Sequence, residues 1–190
     1  MTHRERLLKV ARGEMVDTIP WIPRIDLWHN AASLAGTLPE KYRNYSVEEI
    51  HRAEGWPLHK VIPEYLKPDK PEDIVHRAIG LYRLKEFPYD FEFSSEIDIE
   101  VDYESSDDES MTHVVYHTAV GTVSVRHGVT AEMKKSGASI SWVKEHAIKR
   151  KEDYHTLAHL FGNLKLKPAY ERFRQWKASV GEDGIAVAQG

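Results

Sequence analysis

Cysteine is absent from this chain of 190 residues. That excludes disulfides, a thiolate metal site and a cysteine nucleophile within it. Long hydrophobic runs are absent too: no stretch of about 18 apolar residues occurs, so no membrane-spanning helix is predicted. The opening Met1-Thr2-His3-Arg4-Glu5-Arg6 leads into an amphipathic segment and not into the apolar region of a secretory leader. Nor is there a large excess of either charge. The 26 basic and 30 acidic residues leave a formal charge of −4, which exerts no general pull towards nucleic acid. Lys134-Lys135 and Lys149-Arg150-Lys151 are short, solvated basic groups, and the acidic run over 96–109 opposes DNA locally. Neither a Gly-x-x-x-x-Gly-Lys phosphate loop nor a Gly-x-Ser-x-Gly nucleophile elbow is found. What is present is ordinary globular material, 41% hydrophobic and 29% charged, enough for a sizeable core. These features predict a soluble cytoplasmic chain with no membrane or nucleic-acid partner.

Local signals divide the chain. Thr2 with Glu5, and Ser46 with Glu49, form capping boxes that open helices closed by Gly13 and Gly55. Between them, Thr18 to His29 reads as extended: Pro20 and Pro23 forbid a helix interior and remove ladder donors, so a strand there is short or starts after Pro23. Residues 30–45 read as loop. Pro71 suits the first turn of a helix carrying Ile74, Val75, Ala78, Ile79 and Tyr82. From Phe91 to Tyr103 the pattern alternates, with Ile97, Ile99, Val101 and Tyr103 on one face and Glu96, Asp98, Glu100, Asp102 and Glu104 on the other. Thr112–Thr118 and Gly121–Val129 are further strands, joined by connections too short for a helical crossover. An antiparallel β-meander over residues 91–130 is therefore predicted. If the polar turn at 105–110 closes a hairpin, a register that pairs Asp102 with His113 also pairs Asp98 with His117. Lys134–Ser139 reads as flexible, and Ile140–Ile148 as extended or loosely helical. Glu152–Phe161 is a predicted helix. Another starts at Pro168, with Tyr170, Phe173 and Trp176 on one apolar face and Gly181 as its stop. Ile185-Ala186-Val187-Ala188 is a short buried-strand signal. Helix, loop and strand over 168–188 make half of a βαβ unit.

Several segments carry a resemblance. Glu5-Arg6-Leu7-Leu8 with Arg12-Gly13-Glu14, then Asp17-Thr18-Ile19-Pro20-Trp21, resembles the start of the uroporphyrinogen decarboxylase superfamily. So do Val120-Gly121-Thr122-Val123, Glu145-His146-Ala147-Ile148-Lys149 and Glu152-Asp153-Tyr154. The likeness is strongest to the methyltransferase-related and uncharacterised branch, which carries a β insertion. It implies an α/β fold: residues 1–190 as the N-terminal portion of a (β/α)₈ TIM barrel, with the meander inserted. Such barrels take about 250 residues, so most of the barrel would lie outside this chain. Without its cover, a partial barrel exposes strand edges and the apolar faces around Phe173, Trp176, Ile185 and Val187, and a homo-oligomer is expected.

In this reading the site follows the first strand, because barrel sites sit in the βα loops. Arg24, Asp26, Trp28 and His29 occupy that place and are the expected substrate-binding residues. The family's decarboxylases carry an Arg-Gln-Ala-Gly-Arg motif there, which holds acidic porphyrinogen side chains. Arg24 falls near the first arginine, and Ile25-Asp26-Leu27-Trp28 lacks the second. One guanidinium still holds one carboxylate bidentately, but Asp26 beside it argues against a tetra-acidic substrate. An Arg24–Asp26 pair that merely orders the loop is the plainer alternative. The methyltransferase branch uses zinc, held by one histidine and two cysteines, to activate a thiol, and a corrinoid protein as partner. Without cysteine, this chain cannot complete that site, so no cofactor is expected within it and zinc would belong to the parent. His155 and His159 share a predicted helix face but lack the glutamate of a His-Glu-x-x-His motif. Three functions follow: a fragment of a methyl-transfer enzyme, inactive alone; a uroporphyrinogen decarboxylase proper, acting on that small-molecule substrate; or a non-enzymatic binding or assembly module built on the meander.

Overall fold

A computed structural model describes residues 1–59, 73–81, 88–138 and 140–187. In chain order its elements are α1 (His3–Ala11), α2 (Asp26–Ala35), α3 (Val47–Ala53), β1 (Leu58–His59), α4 (Asp73–Arg77), β2 (Tyr89–Phe93), β3 (Asp98–Ser105), β4 (Glu109–Thr118), β5 (Gly121–Thr130), α5 (Ala131–Ser136), β6 (Trp142–Glu145), α6 (Asp153–Gly162), β7 (Leu164–Pro168), α7 (Tyr170–Val180) and β8 (Gly184–Ile185). No described helix is long and apolar enough to cross a membrane. The described strands form a two-stranded parallel pair, a two-stranded antiparallel pair and a four-stranded antiparallel sheet, without a closed barrel.

Two compact units result. The first comprises Met1–Pro63, Lys85–Pro88 and Ala169–Gly190, and the second Glu64–Leu84 and Tyr89–Pro168. The second is thus inserted, in sequence, between β1 and α7 of the first.

In the first unit both capping boxes form. Thr2 Oγ1 accepts from the Glu5 amide, and Ser46 Oγ accepts from the Glu49 amide. Arg6 grips Asp17 with two bonds, Nε to Oδ1 at 2.7 Å and Nη2 to Oδ2 at 2.9 Å, which fasten the segment after Gly13 back onto α1. The extended reading of 18–29 is corrected at its end. Residues 19–25 are irregular, as two prolines without ladder donors require. A helix then begins at Asp26, whose carboxylate suits the positive N-terminal end. It stops at Gly36, which takes the left-handed conformation at φ 67°. Much of the predicted loop at 30–45 is therefore helix. The terminal strand β8 pairs in parallel with β1: Leu58 pairs with Gly184, and His59 with Ile185. A Cβ at 184 would run into the Leu58 carbonyl, so only glycine permits this approach. Leu58, Trp176 and Val180 form the buried cluster, flanked by Phe173 and Ala186, so Trp176 is enclosed and not left uncovered as expected, while Tyr170 stays exposed. Ala188 lies outside the described residues.

The second unit is organised by the sheet β3-β4-β5-β6. Its first hairpin has the expected register, Asp102 opposite His113 and Asp98 opposite His117. The alternation from Phe91 to Tyr103 is broken by a turn at 94–97, and β2 leaves the sheet to pair with β7, Phe91 opposite Leu166. Val114, Tyr116, Val123 and Val125 close the inner face with Ile97, Ala78 and Leu160. Tyr116 Oη donates to the Val75 carbonyl at 2.5 Å, and burial pushes its phenol far above the ordinary range. The expected helix around 74–79 is the short α4, which ends at Arg77. Its predicted Pro71 and Tyr82 lie outside the described residues. The first half of the stretch read as flexible, Lys134 to Ser136, is the end of α5, which Thr130 caps by accepting from the Met133 amide at Oγ1. Ser139 is not among the described residues.

Candidate functional site

Three helices and a strand of the first unit converge on a pocket of about 40 Å³. Asp26 reaches it as the first residue of α2. Glu48 and His51 stand three apart on α3, so that both share a helix face. Trp176 and Ser179 have the same spacing on α7, and Leu58 supplies the apolar wall. His51 is only 3% exposed. Its Nδ1 lies 2.8 Å from the Pro57 carbonyl, which can only accept, so Nδ1 carries a proton and Nε2 is the ring's remaining polar atom. The imidazole is held edge-on against Trp56 at 5.7 Å, and Trp56 against Trp21 at 5.2 Å. Ser179 Oγ donates to the Trp176 carbonyl at 2.7 Å, leaving its lone pairs to accept. The indole N–H of Trp176, a side chain 6% exposed, has no acceptor among the described residues.

Of the four residues singled out in the sequence, the structure brings only Asp26 to this pocket. Arg24 is exposed, and no ion pair with Asp26 forms among the described residues. Trp28 lies edge-to-face on Tyr42 at 6.3 Å. Tyr42 in turn donates to Glu54 at 2.6 Å, and with Lys41 it holds the Glu54 carboxyl below its usual range. His29 Nε2 donates to the Tyr45 carbonyl at 2.7 Å, a bond that anchors α2. Glu48, His51, Trp176 and Ser179 were not expected from the sequence. Their signal was present as two i, i+3 pairs on predicted helices, but nothing local shows that the two helices meet.

The polar residues that line the pocket are Asp26, Glu48, His51, Trp176 and Ser179. A zinc–thiolate centre does not fit the residues present. The chain has no cysteine, and no three histidine, aspartate or glutamate side chains converge to hold a metal among the described residues. His155 and His159 do lie one turn apart on α6, as expected, without a third ligand among the described residues. Compared with protein-family models, with curated proteins and with solved structures, the chain matches none.

Proposed function

We propose that this chain is the N-terminal portion of a uroporphyrinogen decarboxylase-like (β/α)₈ enzyme whose parent moves a methyl group between a corrinoid protein and an acceptor. The observation that carries the reading is the parallel pairing of β1 with β8 across α7. Strand, helix and parallel strand are the repeating unit of such barrels, here with the second unit inserted after the strand. The methyl-transfer side is preferred on charge. Asp26 and Glu48 line the pocket and Arg24 stands apart from it, so the carboxylates of an acidic tetrapyrrole would meet like charges. Barrel enzymes draw their reacting groups from several strand ends, and the chain alone is inactive in this reading. It works in the cytoplasm and self-associates through the apolar side chains of the 15–21 segment, where Met15 is 90% and Ile19 85% exposed.

A second reading, a binding or assembly module, has one observation in its favour: the sheet of the second unit closes a core of its own around Val114 and Tyr116. Incubation of the purified chain with uroporphyrinogen, and separately with a methyl-loaded corrinoid protein, tests the proposal. The expected result is no loss of substrate carboxyl groups and measurable association with the corrinoid protein. Turnover of uroporphyrinogen overturns the methyl-transfer reading. Absence of corrinoid association, together with a monomer by sedimentation, favours the module.

A further inference from the structure

We infer that His127 is a pH-sensitive clasp: the neutral ring ties the chain after α4 to the sheet, and a proton taken up by the ring releases that tie. The geometry is a bridge between three segments of the second unit. His127 stands on β5 where the register with β6 shifts, on the same strand face as the buried Val123 and Val125. Its Nε2 lies 3.3 Å from the Ala78 carbonyl, just past the end of α4, and its Nδ1 lies 3.1 Å from Ser141 Oγ, just ahead of β6. A carbonyl can only accept, so Nε2 carries the proton of the neutral ring and Nδ1 accepts from the Ser141 hydroxyl. A second tie to α4 does not respond to acid: Tyr116 donates to the Val75 carbonyl, and its phenol stays protonated far above neutrality. Loss of the histidine tie therefore frees the residues after Arg77 while α4 stays on the sheet. Ala78 and Ile79 pack into the core and line an apolar cavity of about 280 Å³ with Val125, Val143, Leu157 and Phe161. Their release opens that cavity.

A proton on His127 turns Nδ1 into a donor, so the Ser141 hydroxyl has to turn round, and it puts a charge among half-buried surroundings. Burial, the largest influence, lowers the ring's pKa from the ordinary 6.5; the Ala78 carbonyl raises it, and the like charge of His146 lowers it again. Opposite His127 stand Thr112 on β4 and Val143 on β6, neither of them titratable. Charged groups of the neighbouring elements are turned to other partners: Lys134 of α5 to Ser110, Lys144 of β6 to Glu109, and Asp153 of α6 to the Lys149 and Arg150 amides. On α4, Asp73, His76 and Arg77 have partners of their own. Among the described residues, His146 is the titratable group whose charge acts on the ring. The sign follows from the lowered value. The stabilisation is complete above about 6.5, the unfolded value, and is lost as pH falls from there through the folded one.

NMR of the full chain tests the clasp. The His127 ring is followed from about pH 7.5 to about pH 5, together with the protection of the Ile79, Gly80 and Leu81 amides, which bond back to His76 and Arg77. His127 should titrate below 6.5, and as it does, protection at these three amides should fall about threefold or more, while the amides of Val114 and Tyr116 keep theirs. In His127→Gln the side-chain amide can donate to Ala78 and accept from Ser141 but takes up no proton, so the fall should disappear. If that variant does not fold, His146→Gln carries the test: without the neighbouring positive charge, the His127 midpoint and the loss of protection should both move to higher pH. The clasp is overturned by a His127 that titrates at or above 6.5, by protection that does not change with pH, or by a fall that survives in His127→Gln. A fall shared equally by Val114 and Tyr116 also overturns it, in favour of acid unfolding of the whole unit. Failure of corrinoid association leaves these outcomes untouched, so the two proposals fail separately.

Discussion

The two units bury apolar surface in opposite ways. In the second, neighbours in sequence supply the core. Val114 and Tyr116 on β4 face Val125 and Val123 on β5 directly across one hairpin, and Leu160 on α6 is fully buried with them. In the first, Leu58 meets Trp176 and Val180 across a whole inserted unit, and these three are the buried members of that cluster among the described residues. Meanwhile Met15, Ile19 and Trp21 stay mostly in solvent. A hairpin closes a short loop, and its contacts follow at little entropic cost. A parallel strand pair has to close a long one before any contact forms. The second unit therefore builds its core on a local hairpin, with Ala78 and Leu160 added from more distant segments, whereas the described cluster of the first rests on long-range contacts and several of its apolar side chains stay exposed.

The largest expected effect tests the core of the second unit. Leu160→Ala should cost about 2–5 kcal/mol in urea unfolding, read at the amides of β4 and β5, because the side chain is fully enclosed. A loss under about 1 kcal/mol would mean that the site collapses freely and the core is loose. In the first unit the sharpest probe is Gly184→Ala, whose added methyl meets the Leu58 carbonyl. About 1–3 kcal/mol and loss of amide protection at Ile185 are expected. Tyr116→Phe removes the donor to the Val75 carbonyl and should cost about 1–1.5 kcal/mol in the second unit. Ser46→Ala, which deletes the cap of α3 in the first, should cost about 1 kcal/mol by thermal unfolding.

The smallest effect is a pH dependence in the first unit. Arg6, through two hydrogen bonds, holds the Asp17 carboxyl down at about 2, against the ordinary 3.8. A depressed carboxyl contributes stability that is fully present above its unfolded pKa and is lost as pH falls through the folded one. Stability should thus drop between about pH 4 and pH 2, and Asp17→Asn should flatten that window in an acid titration followed by circular dichroism. An unchanged slope would remove the pair from the account.

What could be read in the sequence follows the same division. Period-two alternation and a tight polar turn were enough for the hairpin and for its register at Asp102 and His113, because both depend on adjacent residues. The capping boxes at Thr2 and Ser46 were legible for the same reason. The pairing of Phe91 with Leu166, the partner of Gly184 and the meeting of α3 with α7 were not legible, since no local pattern encodes which distant segments approach. Helix α2 was hidden differently. It has no side-chain cap at Ile25, and its start follows two prolines that favour extended backbone. At the candidate site the sequence named Asp26 for its place after an expected first strand, and the structure forms no strand over residues 19–25. The sequence reading missed Glu48, His51, Trp176 and Ser179, whose chemistry depends on that long-range meeting.

The central claim is that β1 and β8 pair in parallel and make the first unit a strand–helix–strand repeat. Backbone nuclear Overhauser contacts between Leu58 and Gly184 and between His59 and Ile185 test it most directly. The account predicts the amide-to-Hα contacts of a parallel ladder at that register, together with slow amide exchange at Ile185. An antiparallel contact pattern, or none between these residues in the folded chain, would contradict the pairing and remove the main support for a barrel.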